Sequence, residues 1–284
     1  MMVRLIMVLK VQIDNYCFSY CSKGDASNPT ILFLHGFMGD CFEFKTAIAV
    51  LSEQFYCVAI DLQGHGQTEA IDRDNDHDDY YTIQSTASFV IKFLDLLRLE
   101  RCFLVGYSMG GRVALYLALY FPQYFHRVVL ESTSAGLRSI KERSDRLAKD
   151  RQLAAKLETS DFRLFLENWY QQPIFATLRS HPDFPQLLAQ RLNNSPAQLA
   201  KSLRNLSTGM QPSLWELLSE NEIPLLLIVG DLDLKFVQIN RQMQSLRKQA
   251  QLEIMPSCGH NIHFENPIVF IEKVQSFLTL CLST

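Results

Sequence analysis

Residues 101–112 read Arg-Cys-Phe-Leu-Val-Gly-Tyr-Ser-Met-Gly-Gly-Arg. An apolar, β-rich run, 101–105, leads into Gly106-Tyr107-Ser108-Met109-Gly110, a G-x-S-x-G pattern, and a helical pattern follows from 111 to 120. Strand, tight turn, then helix is the setting of a nucleophile elbow. The flanking glycines permit a strained turn that lifts a serine hydroxyl above the end of the strand. The five-residue pattern alone is weak, since a chain of this size holds about 0.1 matches by chance at ordinary Gly and Ser frequencies. Its position between a buried strand and a helix makes it specific.

Outward from the elbow, further short apolar runs lie at 30–34, 54–60, 127–131, 224–229 and 252–255. Runs that are apolar at every position suit strands covered on both faces. Amphipathic stretches at 83–98, 236–249 and 266–280 separate them. Alternation of this kind predicts an open, mostly parallel α/β sheet flanked by helices. Residues 1–10 are read as a first strand, which 11–21 can join as an antiparallel edge hairpin. From 136 to 222 the alternation stops. Only helical pattern occurs there, with Pro173, Pro182, Pro185, Pro196 and Pro212 as breakers. An insertion between two strands of a parallel sheet emerges at the edge where such sheets bind ligands. The expected organisation is a core of 1–135 and 223–284 with a helical cap of 136–222.

Composition narrows the classes. The chain has 284 residues, is 48% hydrophobic and carries a net charge of −3, so it can bury a large core and has no overall field for nucleic acid. The apolar start is interrupted by Arg4 and Lys10 and is too short for a signal segment, and no span is long enough for membrane insertion. Seven scattered cysteines without a CxxC suggest reduced thiols and a cytoplasmic protein rather than a disulfide or zinc framework. The run Asp72–Asp79 is expected to be a solvated acidic loop rather than a calcium site.

A serine hydroxyl becomes reactive when an imidazole takes its proton, and the imidazole needs a carboxylate to orient it. In this setting the chain order is Ser, then acid, then His. Gly230-Asp231-Leu232-Asp233 follows a strand run, and Asp233 is preferred over Asp231, which hugs the strand end. Gly259-His260 follows the last run, so His260 is the expected base, with His263 as its alternative. The other five histidines precede Asp233 and fail the order. His35 opens the loop after the 30–34 run, and Phe37 N–H and Met109 N–H are the expected oxyanion donors. Arg112 falls one helical turn after Ser108, where it either makes a helix salt bridge or awaits a carboxylate. The basic stretch 138–146 is open between a solvated face and a binding face, and Trp169-Tyr170 between core packing and a pocket.

These pieces resemble the α/β-hydrolase superfamily. More closely they resemble its 2-succinyl-6-hydroxy-2,4-cyclohexadiene-1-carboxylate synthases (MenH) of menaquinone and phylloquinone biosynthesis. The resemblance rests on HGFMGD at 35–40, DLQGHGQT at 61–68, VGYSMGGR at 105–112, ESTSAGL at 131–137 and ERSDR at 142–146. NWYQQPIFATL at 168–178, GDLDLKF at 230–236 and GHNIHFENP at 259–267 complete it. The arginine directly after SMGG and the WYQQPIFA segment are the specific parts. The resemblance implies a pocket lined by Tyr107, Arg112, Arg146, Trp169 and Tyr170. Gln63 stands where the family has Pro and Thr68 where it has Ser, neither at the reacting groups. It implies a lyase that eliminates pyruvate from a small polycarboxylate, using Ser108, His260 and Asp233 as a general base and needing neither metal nor organic cofactor. A serine hydrolase acting on an ester or C–C bond would use the same triad, and a non-catalytic ligand-binding member would not keep it intact.

Overall fold

The computed structural model describes residues 7–247 and 249–279. The strands are β1 (Met7–Ile13), β2 (Tyr16–Lys23), β3 (Thr30–Leu34), β4 (Tyr56–Ile60), β5 (Glu69–Ala70), β6 (Cys102–Tyr107), β7 (Phe125–Glu131), β8 (Leu225–Gly230) and β9 (Gln251–Met255). They form one sheet in the order β1-β2-β4-β3-β6-β7-β8-β9, with β5 pairing to β2. From β4 to β9 every neighbouring pair on this path is parallel. The antiparallel hairpin β1/β2 closes one edge, and the expected strand at its start lies outside the described residues up to position 6.

The continuous apolar runs have a simple cause. Side chains alternate faces along a strand, and both faces of this sheet are covered. Leu32, Leu34, Val58, Leu104, Val128 and Leu227 point to one side. There they meet helices α2 (Ile83–Leu96), α3 (Met109–Tyr120) and α9 (Leu234–Leu246), with α1 (Lys45–Leu51) across the sheet. Ile31, Phe33, Cys57, Phe103, Val129 and Leu226 point to the other side, against α1 and α10 (Pro267–Thr279).

Between β7 and β8 lie α4 (Ile140–Thr159), α5 (Phe162–Trp169), α6 (Ala176–Arg179), α7 (Phe184–Arg191) and α8 (Pro196–Asn205). They share a third apolar cluster, which includes Ala154, Leu166, Leu178, Leu187 and Leu203 and reaches the core through Met38. Ser139 and Glu142 form a reciprocal capping box at the start of α4, satisfying donors that a helix leaves free. The prolines expected as breakers mostly begin elements instead: Pro196 opens α8 and Pro185 lies in the first turn of α7, positions that need no helical N–H donor. The acidic loop also differs from expectation. Asp76 is buried, bonded to the Tyr16 and Tyr81 hydroxyls and to Lys201 Nζ of α8 at 2.7 Å, so the loop fastens the helical insertion to the sheet.

The strand order reverses between β3 and β6. The chain leaves β3 toward β4 on one side, and β6 begins the run on the other. Loops after these two strands diverge, and a crevice opens beyond their C-terminal ends. The loop after β3 carries Phe37 and the turn after β6 carries Ser108. Close approach there demands glycine. A Cβ on Gly110 would lie 2.2 Å from the Leu34 carbonyl oxygen, and one on Gly106 would lie 2.6 Å from the Gly110 oxygen.

Gly110→Ala should push α3 off the end of β3. The expected loss is about 2–4 kcal/mol of unfolding free energy in denaturant titration, with disturbed activity. Stability equal to the parent would contradict the contact.

Candidate active site

Ser108 sits at the turn with φ 49° and ψ −105°, a left-handed conformation that a non-glycine residue holds only when its surroundings enforce it. They do. Its N–H donates to the Glu131 carbonyl at 2.9 Å, and its own carbonyl accepts from Thr133 Oγ1 at 2.9 Å and Arg112 N–H at 3.1 Å. The hydroxyl lies 3.0 Å from His260 Nε2, and His260 Nδ1 lies 2.6 Å from Asp233 Oδ2. Asp233 also caps α9 by accepting from Phe236 N–H at 3.4 Å. Asp231, by contrast, is held by its backbone to Met255 at the strand end.

His263 is committed elsewhere. Its backbone N–H and Nδ1 meet the two oxygens of the Glu131 carboxylate at 3.0 and 2.7 Å, and Nε2 faces Glu43 Oε1 at 3.5 Å. Arg191 of α7 pairs with the same Glu43 oxygen at 2.6 Å. It also donates to the Met38 carbonyl at 3.1 Å, which Asn194 Nδ2 grips at 3.0 Å. These four charged side chains are all buried. Burial alone would lower the His263 pKa, but Glu131 and Glu43 together raise it to about 9. Burial opposes the charge on Glu43 too, yet Arg191 and His263 hold it well below the usual carboxylate range. His35 is a brace: Nε2 accepts from Leu62 N–H at 3.0 Å and Nδ1 donates to the Gly36 carbonyl at 2.7 Å, joining two loops at the crevice.

A cavity of about 490 Å³ opens over the elbow, a size suited to a small ligand. Ser108, His260, Phe37 and Met109 line it, as do Arg112, Arg146 and Trp169. Met109 is the first residue of α3, where helix geometry leaves the N–H without an intrahelical acceptor. Arg112 makes no ion pair among the described residues. Nη1 donates to Gln211 Oε1 and Nη2 to the Leu206 carbonyl, each at 2.8 Å. Burial, then the neighbouring Arg146, lowers its pKa to about 9, so it stays protonated at neutral pH in a setting that favours an incoming anion. Arg146 is tied at 2.8 Å to both oxygens of buried Asp150.

Two expected pocket residues stand elsewhere. Tyr107 is buried, its ring 5.5 Å from that of His260 and 4.9 Å from that of His263. Tyr170 is buried among the inserted helices, where its hydroxyl meets Arg191 Nε at 3.3 Å. Neither lines the cavity, because each aromatic ring is fully used in packing one layer behind its surface. Arg138, from the basic stretch left open between a solvated and a binding face, lines the cavity too, and the cavity gains Ser132 and Lys235, to which sequence reading gave no role. Lys235 had a local signal, two places after Asp233.

A parallel sheet reversing at its centre, a strained serine at that reversal, and an acid and histidine on later strand ends define an α/β-hydrolase-fold protein, and a model described as "alpha/beta hydrolase fold" matches residues 29–267. The chain is 34% identical over 258 residues to the 2-succinyl-6-hydroxy-2,4-cyclohexadiene-1-carboxylate synthase of Serratia proteamaculans, covering 90% of this chain and 95% of that one. It is 33% identical over 266 residues to the chloroplastic protein PHYLLO of Arabidopsis thaliana, covering 90% of this chain and 16% of that much longer one. Among solved structures, MenH from S. aureus superposes with a TM-score of 0.84 at 31% identity, covering 94% of this chain and 98% of that one. The chain belongs to the family of 2-succinyl-6-hydroxy-2,4-cyclohexadiene-1-carboxylate synthases.

The His263 network gives stability a pH signature. A histidine whose folded pKa is raised stabilises the fold fully below its unfolded value of 6.5 and loses that contribution as pH rises through about 9. The parent should therefore lose about 1–3 kcal/mol across that interval in denaturant titrations at stepped pH. His263→Gln should be less stable at pH 7 and should flatten the decline, whereas an undiminished slope would assign it to other groups.

Proposed function

We propose that the protein is the lyase that converts 2-succinyl-5-enolpyruvyl-6-hydroxy-3-cyclohexene-1-carboxylate into 2-succinyl-6-hydroxy-2,4-cyclohexadiene-1-carboxylate and pyruvate, in menaquinone or phylloquinone biosynthesis. Arg112 is the observation that carries this. It is a guanidinium on the cavity wall, one turn beyond the serine, held by two neutral oxygens with no carboxylate of its own. A site for a neutral ester has no use for such a group. A tricarboxylate does, because a guanidinium offers two parallel donors to each carboxylate it meets.

The chemistry follows from the two names. The hydrogen on C2, α to the succinyl carbonyl, leaves as a proton to Ser108 Oγ, which passes its own proton to His260 Nε2. The C2 electron pair becomes the C2=C3 bond, the former C3=C4 pair becomes C4=C5, and the C5–O bond breaks. Enolpyruvate departs and ketonises to pyruvate. His260 lies within hydrogen-bond reach of the serine, the geometry a general base requires. Asp233 orients the imidazole and stabilises it when charged. Phe37 and Met109 N–H hold the carbonyl oxygen as it gains charge, each donor contributing about 3 kcal/mol. Arg146 and Trp169 complete the substrate pocket, Tyr107 and Tyr170 support it from behind, and residues 136–222 act as the cap. No acyl-enzyme forms. The cytoplasm is the compartment, consistent with six described cysteines that are all unpaired.

A coupled assay for pyruvate, with enzymatically generated substrate, tests the reading directly. Wild-type protein should release pyruvate and Ser108→Ala should not. Arg112→Ala should lower kcat/KM on this substrate about 30- to 1000-fold, and much less on a neutral aryl ester. Equal losses on both would remove carboxylate recognition, and an acyl-enzyme burst with esters but no pyruvate would leave a serine hydrolase.

A further inference from the structure

Two cations on the cavity wall, Arg138 and Lys235, stand outside the roles assigned above. Lys235 lies in the first turn of α9, two residues past Asp233; it is exposed and lines the same cavity as Ser108 and Arg112. Its ammonium is 5.5 Å from the centre of the Phe236 ring, and that ring is 4.7 Å from the His260 ring. Lys235 therefore stands on the wall that also holds the triad's acid and base, whereas Arg112 comes from α3 beneath the serine.

The other charges on this wall are occupied. Arg146 is held by Asp150, and Asp150 also accepts from Ser207 Oγ at 2.6 Å. Glu142 is taken by the capping box at Ser139. Arg138 stacks on the Trp215 ring at 4.2 Å. Among the described residues Lys235 has no ion pair. Partial burial first, and then repulsion from Arg146, lowers its pKa, while the Asp233 carboxylate two residues back opposes that shift. Ser132 also lines the cavity, and its Oγ is buried with no hydrogen-bond partner among the described residues. A buried hydroxyl without a partner is costly unless a ligand satisfies it.

We propose that Lys235 is a substrate-binding and specificity-determining residue that takes a second carboxylate of the substrate at the α9 side of the cavity, apart from the carboxylate held by Arg112, with Ser132 Oγ as a further donor in the same cavity. This rests on the lyase reading above. It implies selection for molecules with at least two carboxylates spaced to meet both walls, and rejection of monocarboxylates, which would leave one cation facing an empty site.

Lys235→Met and Lys235→Arg test it. Lys235→Met should raise KM for the tricarboxylate about 10- to 100-fold with kcat changed only a few-fold, and Lys235→Arg should restore most of that loss. In a Ser108→Ala background, calorimetry should show Lys235→Met weakening the binding of the cyclohexadiene product or of pyruvate by a similar factor. Which of the two weakens identifies the carboxylate that Lys235 holds. An unchanged KM with unchanged binding of both ligands would overturn the proposal. So would an equal loss on a neutral ester, which would mean damage to the α9 start beside Asp233. Failure of the lyase reading is distinguishable, because wild-type protein would then release no pyruvate. Citrate as competitor of ester hydrolysis would in that case decide the matter: weaker inhibition of Lys235→Met supports the carboxylate site, and equal inhibition of both proteins removes it.

Discussion

The strained turn at Ser108 governs everything above the sheet. A backbone at φ 49° on a serine costs on the order of 1–3 kcal/mol and survives only where neighbours leave no alternative. Three elements impose it. β3 supplies the carbonyls that press on Gly110, β7 supplies the acceptor for the Ser108 N–H, and Thr133 holds the Ser108 carbonyl. The result aims one hydroxyl out of the sheet while its helix runs back along it, so the Ser108 hydroxyl, the Met109 N–H and Arg112 leave the turn in fixed relative directions.

Beneath that turn lies a buried network of alternating charge, Glu131, His263, Glu43 and Arg191. Glu131 gives its backbone carbonyl to Ser108 and its carboxylate to His263. Arg191 reaches down from α7 to Glu43 and to the carbonyl of Met38, in the loop after β3 that carries Phe37. Isolated, any of these charges would be expensive to bury; together they compensate one another. The network couples the position of an inserted helix to both loops that frame Ser108. A second tie, Asp76 to Lys201, fastens the insertion from the side of β2.

Much of the fold and half of the site were legible in order along the chain. The runs at 30–34 and 127–131 read as strands because a sheet covered on both faces requires apolar residues at every position. The elbow read as a turn because two glycines bracket a serine between a strand and a helix. Asp233 and His260 followed from chain order and from their places just beyond strand ends. The burial of Asp76 was hidden among five exposed-looking acids, since nothing local marks which aspartate will meet Lys201, 125 residues away. Tyr107 and Tyr170 show the converse limit: a motif marks an aromatic as important without saying whether its ring faces the ligand or the layer behind it.

By itself, then, the sequence determined whatever depends on neighbours within a few residues: the strands, the strained turn and the arginine one helical turn beyond its serine. Tertiary structure decided which charges meet. Glu43 and Arg191 are 148 residues apart, and Lys235 gains meaning only once Arg146, from another helix, faces the same cavity. The physical reason is that hydrogen bonds and steric limits act locally along the chain. Desolvation and Coulomb interactions depend on distance through a folded interior, which no linear spacing encodes.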